Sequence, residues 1–233
     1  MKGKTSCFTR TEMSEERTIR QIGPYRLLSL IAEGGMADVY LAQKEEAAGL
    51  QRTVAVKRIR PDLVEDAQFT ARFIDEARIS LELQHPNLIR VYGFEKIDGE
   101  LLLVMEYIDG CNLCAIQNRI MPATAFRSLA IQTADALAAL HAIGVMHRDV
   151  SPSNILIDRK GNVKLSDLGI AAALHNGSSY AQDFGKSRYL SPAVLSGRQA
   201  GAGDDMYSLA LLLAESAAGN TIDNACAQAD IKF

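Results

Sequence analysis

Apolar and polar positions change their period several times along the chain. Between Tyr25 and Ile59 three short runs rich in Leu, Val and Tyr recur: Tyr25 to Ile31, Val39 to Ala42 and Thr53 to Ile59, the last around Val54-Ala55-Val56-Lys57. A period of two sets alternate side chains on one face, so all three read as strands, separated by the Gly34-Gly35 turn and the loop around Gly49. From Ala67 to Leu83 the step lengthens to four. Phe69, Phe73, Ala77 and Leu81 predict an amphipathic helix that stops before His85-Pro86-Asn87. Strand character returns in Leu88 to Phe94 and Leu101 to Tyr107, which flank Asp98-Gly99, a dipeptide suited to a tight hairpin. These runs predict a small first lobe of five antiparallel strands and one helix, spanning residues 25–108.

After Asp109-Gly110 the pattern becomes helical. A helix from about Pro122 to Ile143 carries Phe126, Leu129, Ala130, Thr133, Leu137 and Leu140 on one face, with proline at its start and Gly144 past its end. A small hairpin, Ile155 to Ile157 and Val163 to Leu165 around Lys160-Gly161-Asn162, precedes a longer loop and a helix near Asp204 to Ala217. Residues 109–219 thus predict a mainly helical second lobe, and the fold class is α+β. Residues 1–24 are polar and aperiodic and read as a flexible arm closed by Gly23-Pro24, and 220–233 read as an atypical tail.

Composition narrows the function classes. With 233 residues, 48% of them hydrophobic, the chain can bury a core without disulfides or metals. A formal charge of -3 gives no basic field that would draw it to nucleic acid. The longest apolar run, Tyr207 to Ala214, is too short for a membrane span, no apolar leader follows the N-terminal Lys and Arg residues, and the 4 cysteines are scattered. The expectation is a cytoplasmic protein. Cys111-Asn-Leu-Cys114 lacks the second ligand pair that zinc would need.

Candidate chemistry sits in four places. Ile31-Ala32-Glu33-Gly34-Gly35-Met36-Ala37-Asp38-Val39 joins two strands through a glycine turn, where backbone N–H groups can approach phosphates; taken alone it reads first as a hairpin turn. Lys57 projects from an apolar strand and needs a partner, which Glu76 on the next helix can supply. His147-Arg148-Asp149-Val-Ser-Pro-Ser-Asn154 is followed thirteen residues later by Asp167-Leu-Gly169. Phosphoryl transfer needs a carboxylate to take or orient the attacking hydroxyl and oxygen ligands for Mg2+, and Asp149, Asn154 and Asp167 supply those groups in order.

On these motifs the chain from Tyr25 to about Gly219 resembles a protein kinase domain, closest to the bacterial, eukaryotic-like serine/threonine kinases. His85-Pro-Asn87, a hinge at Met105-Glu-Tyr-Ile108, Ser191-Pro192 and Asp205-Met-Tyr-Ser208 fall in the family's order. The resemblance implies a two-lobed fold with a shortened helical lobe, ATP and Mg2+ as cofactors, and a protein substrate offering Ser or Thr. It implies that Lys57, paired with Glu76, holds the α and β phosphates beneath the glycine loop, and that the backbone of Glu106 and Ile108 meets adenine. It further implies Asp149 as catalytic base, Asn154 and Asp167 as metal ligands, and Arg148 as partner of an activating phosphate. One of Ser178, Ser179 and Ser187 is the expected acceptor of that phosphate.

The sequence also departs from the family. Ala32 and Ala37 stand at two of three family glycines, Ser151 where a lysine is usual, Leu168 for Phe, and Ala193 for a Glu that pairs with Arg. The tail matches none of the family's closing helices. The alternative function is therefore a pseudokinase or truncated nucleotide-binding module that does not turn over.

Overall fold

Period-two alternation becomes an antiparallel sheet of six strands. A computed structural model of the protein describes residues 20–116, 120–168 and 187–219, with the side chains at 67–69, 72, 75, 76 and 187 outside that description. The chain divides into two compact units, and the first comprises, within the described residues, 20–84 and 89–107. Its strands are β1 (Arg20–Ile22), β2 (Tyr25–Glu33), β3 (Ala37–Glu45), β4 (Gln51–Ile59), β5 (Val91–Ile97) and β6 (Glu100–Glu106). They pair in the order β1-β2-β3-β4-β6-β5.

The alternation along the chain predicts five strands; the sixth, β1, lies inside residues 1–24, whose polar, aperiodic pattern predicts an arm. Three residues carry too little alternation to be seen. Ile22 nevertheless enters the core with Tyr25, Leu27, Ala42, Val54, Val56, Leu102 and Val104. Gly23 makes the turn to β2 at φ +52°, and a Cβ there would press on Ile97 at 2.9 Å. Tyr25 donates its hydroxyl to Glu95 at 2.5 Å, and Arg20 reaches Glu100. The sheet therefore curls until its first strands meet its last two through side chains. The strand expected at Leu88 to Phe94 starts at Val91 instead, because Leu88 belongs to the other unit, where it bridges Leu165.

A short helix α1 (Pro61–Val64) leads to α2 (Ala67–Glu82). Among its described side chains Phe73, Ala77 and Ser80 are buried, whereas Leu81 is 37% exposed. A four-residue step advances about 400°, so each repeat drifts about 40° round the helix and Leu81 slides off the face that Phe73 begins. Phe73 packs on Phe94 of β5, ring centroids 5.5 Å apart. Leu101 to Met105 are all buried, so β6 is covered on both faces.

The second unit comprises residues 85–88 and the described residues from 108 onward. Strand β7 (Gly110–Asn112) pairs with β8 (Ile155–Asp158), which pairs with β9 (Val163–Leu165). At Gly110 a Cβ would sit 1.9 Å from the Ile157 carbonyl oxygen, so only glycine fits this close approach. Among its described residues the α-helices are α3 (Ala123–Ala142), α4 (Pro192–Leu195) and α5 (Ala202–Ala218). α3 buries Leu129, Thr133, Ala136, Leu137 and Leu140, with Pro122 at its N-cap as the sequence suggests. α5 runs two residues earlier and one later than expected and ends at Gly219, whose left-handed φ of +66° caps it. The stretch read as an atypical tail, 220–233, lies outside the described residues.

Candidate functional site

Within the first unit, Ile31, Ala32 and Glu33 end β2, Gly34, Gly35 and Met36 turn the chain, and Ala37, Asp38 and Val39 open β3. Ala32 pairs with Val39 and Glu33 with Asp38. Ala37 pairs with Ile59 and is 6% exposed. Both alanines that replace family glycines therefore lie in strands, where an L-residue is at ease, and the turn keeps its two glycines. Their cost to the turn is smaller than the sequence suggests. The Arg60 N–H donates to the Met36 carbonyl at 3.0 Å and ties the turn's last residue to the end of β4.

Lys57 stands on β4 between Val39 and Leu103, half-buried, on the strand face that also carries Ala55 and Ile59. The expected partner, Glu76, lies on α2, but its side chain falls outside the described residues. Glu106 ends β6; its N–H donates to the Arg90 carbonyl at 2.9 Å and its Oε1 accepts from the Arg90 N–H at 2.7 Å. Any bond from Glu106 to a base would use its carbonyl oxygen.

In the second unit the loop 147–154 is fixed from several sides. His147 is fully buried; its Nε2 donates to the Ser166 carbonyl at 3.0 Å and its Nδ1 accepts from the Asp149 N–H at 3.3 Å. A carbonyl only accepts and an amide only donates, so His147 holds the neutral Nε2–H form. Burial lowers its pKa below the usual histidine value, outweighing the carboxylates of Asp149, Asp205 and Asp167, which act the other way. A buried, neutral imidazole bonded at both nitrogens to backbone serves as a structural support under the loop.

Asn154 donates both amide hydrogens to Asp149, to its carbonyl at 2.8 Å and its Oδ2 at 2.9 Å. The amide oxygen Oδ1 is thereby turned the other way. The Asn154 carbonyl accepts from the N–H of Ser166 at 2.8 Å and its hydroxyl at 3.1 Å. Since Ser166 precedes Asp167, the structure brings the three carriers of the expected chemistry onto one hydrogen-bonded frame. Arg148 and Asp167 adopt left-handed backbone, φ +64° and +56°. For residues with a Cβ such backbone is unfavourable and persists where the surroundings over-determine it.

One such constraint is Asp205. In the sequence it stands out only as part of Asp205-Met-Tyr-Ser208, yet its Oδ2 accepts from the His147 N–H and its Oδ1 from the Arg148 N–H, both at 2.8 Å. The His141 Nε2 donates to the same carboxylate at 2.8 Å. Asp205 is 2% exposed. A second buried carboxylate, Glu215, accepts from the Tyr189 hydroxyl at 2.6 Å and from Arg188. Ser191 donates to Asp204 at 2.5 Å, a bond that pulls the Asp204 carboxyl below its usual pKa with help from the Gly201 N–H and Arg198. α5 thus anchors both the loop 147–154 and the chain at 188–191. Two expectations remain outside the described residues: Gly169, and the serines 178 and 179; Ser187 is described only in its backbone.

The family model for the protein kinase domain matches residues 25–231. The chain belongs to the protein kinase family. It is 36% identical over 213 residues to the serine/threonine-protein kinase PknH of Mycobacterium tuberculosis, covering 90% of this chain and 34% of that protein. It is 38% identical over 201 residues to the serine/threonine-protein kinase PrkC of Bacillus subtilis, covering 84% and 31%. The chain therefore spans about a third of the length of these curated relatives. Among solved structures it is similar to the PknI kinase domain of Mycobacterium tuberculosis, with a TM-score of 0.67 at 25% identity, covering 89% of this chain and 79% of that one.

For a kinase domain, the changed residues now have addresses. Ser151, where the family lysine is usual, is 2% exposed and bonds the Ser153 hydroxyl at 3.0 Å. Ala193 lies in α4, whose N-cap Ser191 accepts from the Val194 N–H.

Proposed function

We propose that this domain is an ATP- and Mg2+-dependent serine/threonine kinase acting on other proteins. The frame of Asp149, Asn154 and Ser166 held by Asp205 is the observation that carries the reading. ATP would supply the transferred phosphoryl group, and Mg2+ would offset its charge. The donor set suits a hard cation: Asn154 Oδ1 and the Asp167 carboxylate are oxygen ligands of the kind Mg2+ takes beside phosphate. Asp149 takes the proton of the acceptor hydroxyl on its carboxylate, whose orientation is fixed by the bond that Oδ2 accepts from Asn154. Lys57, with Glu76 as its partner, binds the α and β phosphates; the Gly34-Gly35 turn lets backbone approach them; the Glu106 carbonyl and the Ile108 N–H receive adenine. The names of the relatives support serine and threonine as acceptors, and ATP as donor suits a cytoplasmic setting. Among the described residues no helix is long and apolar enough to cross a membrane.

Incubation with labelled ATP, Mg2+ and a generic basic protein tests the reading. Transfer should fall by roughly 10²–10⁴-fold in Asp149→Asn while the melting temperature holds. The buried, uncharged Ser151 favours a second reading, nucleotide binding without turnover. A folded domain whose melting temperature rises with nucleotide but which transfers no label would establish that alternative.

A further inference from the structure

The hydroxyl at position 151 has a destination. Ser151 is 2% exposed, so its hydroxyl must find a protein partner, and the partner is Ser153 at 3.0 Å. Ser153 Oγ in turn donates to Asn154 Oδ1 at 3.4 Å. A hydroxyl has one hydrogen, so if Ser153 gives its own to Asn154 it accepts the one from Ser151, and the donor order runs Ser151 to Ser153 to Asn154. The Asn154 N–H also donates to the Ser151 carbonyl at 3.0 Å, which folds the short turn Pro152–Asn154 back on Ser151 and brings the two hydroxyls together. Asn154 is then held at both ends of its amide: Nδ2 by Asp149 and Oδ1 by Ser153.

We propose that Ser153, itself oriented by Ser151, is a positioning residue that presents Asn154 Oδ1 to the divalent cation of the kinase reaction. This rests on the reading of Asn154 as a metal ligand. An amide oxygen has two lone pairs; Ser153 engages one and leaves the other for the metal, while the Asp149 bonds stop the amide from flipping and offering nitrogen instead. Ser151 supplies no cation, and its contribution is to spend the hydrogen that keeps the Ser153 hydroxyl pointed at Oδ1.

The test is a Mn2+ titration followed by electron paramagnetic resonance, with the domain saturated by a non-hydrolysable ATP analogue. In Ser153→Ala the Mn2+ dissociation constant should rise roughly 3–10-fold, the range expected when a single long hydrogen bond to a metal ligand is lost. Ser153→Thr keeps the hydroxyl and should restore it, Ser151→Ala should give a smaller rise, and analogue affinity without metal should not move in any of them. A merely structural role would lower the melting temperature and analogue affinity alike without this metal-specific shift. Unchanged Mn2+ affinity in Ser153→Ala, with a large loss in Asn154→Ala, overturns the positioning role and leaves Asn154 as ligand. Unchanged affinity in both variants overturns the proposal together with the ligand assignment.

Discussion

In the sheet unit one core cluster consists of Ile22, Tyr25, Leu27, Ala42, Val54, Val56, Leu102 and Val104, and among the unit's described residues Ser80 is the one buried position in the polar class. The helical unit differs in kind. There the buried residues include His147, Ser151, Asn154, Ser166, Asp204, Asp205, Ser208 and Glu215 beside the apolar faces of α3 and α5. Burying an apolar side chain needs only volume and shape, whereas burying a carboxylate needs each oxygen to meet a donor. The sheet is therefore built to tolerate exchange, and the loop 147–154 is built so that few exchanges are possible. Side chains locked by their neighbours are what a precise site requires, and the polar network of the helical unit locks the loop 147–154 in that way.

The widest expected gap between the units comes from a pair of substitutions. Asp205→Ala strips the acceptor from two backbone N–H groups and from His141, leaving buried donors without partners. Each such loss costs about 1–3 kcal/mol, so the whole should reach about 3–5 kcal/mol, with kinase activity falling alongside. Leu102→Met, at a fully buried sheet position, keeps volume and apolar character and should cost under about 1.5 kcal/mol. Urea unfolding of both variants measures the contrast. Equal losses would mean that the carboxylate is replaceable and that the two units are held alike.

The same contrast explains what could be read from the chain before its structure. Val54, Val56, Leu102 and Val104 announce their strands because apolar burial leaves a period in the sequence, and α3 was legible from Pro122 to its last turn for the same reason. Asp205 and Glu215 leave no such period. A buried carboxylate and an exposed one are the same letter, and only the donors facing it, the His147 and Arg148 N–H groups or the Tyr189 hydroxyl, tell them apart. Asp149, Asn154 and Asp167 stand out as candidates through their order and spacing within a known family, not through any periodicity. Strand β7 was invisible because its determinant is a missing atom, the Cβ that Gly110 lacks against the Ile157 carbonyl.

A smaller effect separates the units by pH. His147 is buried in its neutral form with its pKa lowered, so the unfolded chain binds a proton that the folded one refuses. Stability from this source is complete above about pH 6.5, the ordinary histidine value, and declines as pH falls below it, by up to about 1.4 kcal/mol per pH unit. Urea midpoints taken from pH 7.5 to 5.5 should show that slope, and His147→Phe should flatten it. A slope unchanged by the substitution would assign the titration to another group. The sheet unit contributes nothing to this window from a histidine, since residues 20–84 and 89–107 contain none of the chain's 4 histidines.

The smallest effect belongs to Arg20, at the strand that sequence reading placed in an arm. Its side chain is 49% exposed and reaches Glu100, which also accepts from Arg58, by Nη2 at 3.1 Å and by Nε. In Arg20→Ala the carboxylate keeps Arg58, a partner only 15% exposed, so no buried charge is left alone. What is lost is a half-exposed ion pair, worth about 0.2–1 kcal/mol and screened by salt. β1 should stay paired to β2, because its hold comes from the ladder and from Ile22, which is 3% exposed. Amide hydrogen exchange at residues 20–22 checks this directly: protection surviving in Arg20→Ala but lost in Ile22→Ala would show that even at its edge the sheet is held by apolar burial. Protection lost in Arg20→Ala would mean that one ion pair does for β1 what Asp205 does for the loop 147–154, and the contrast between the units would stop short of the first strand.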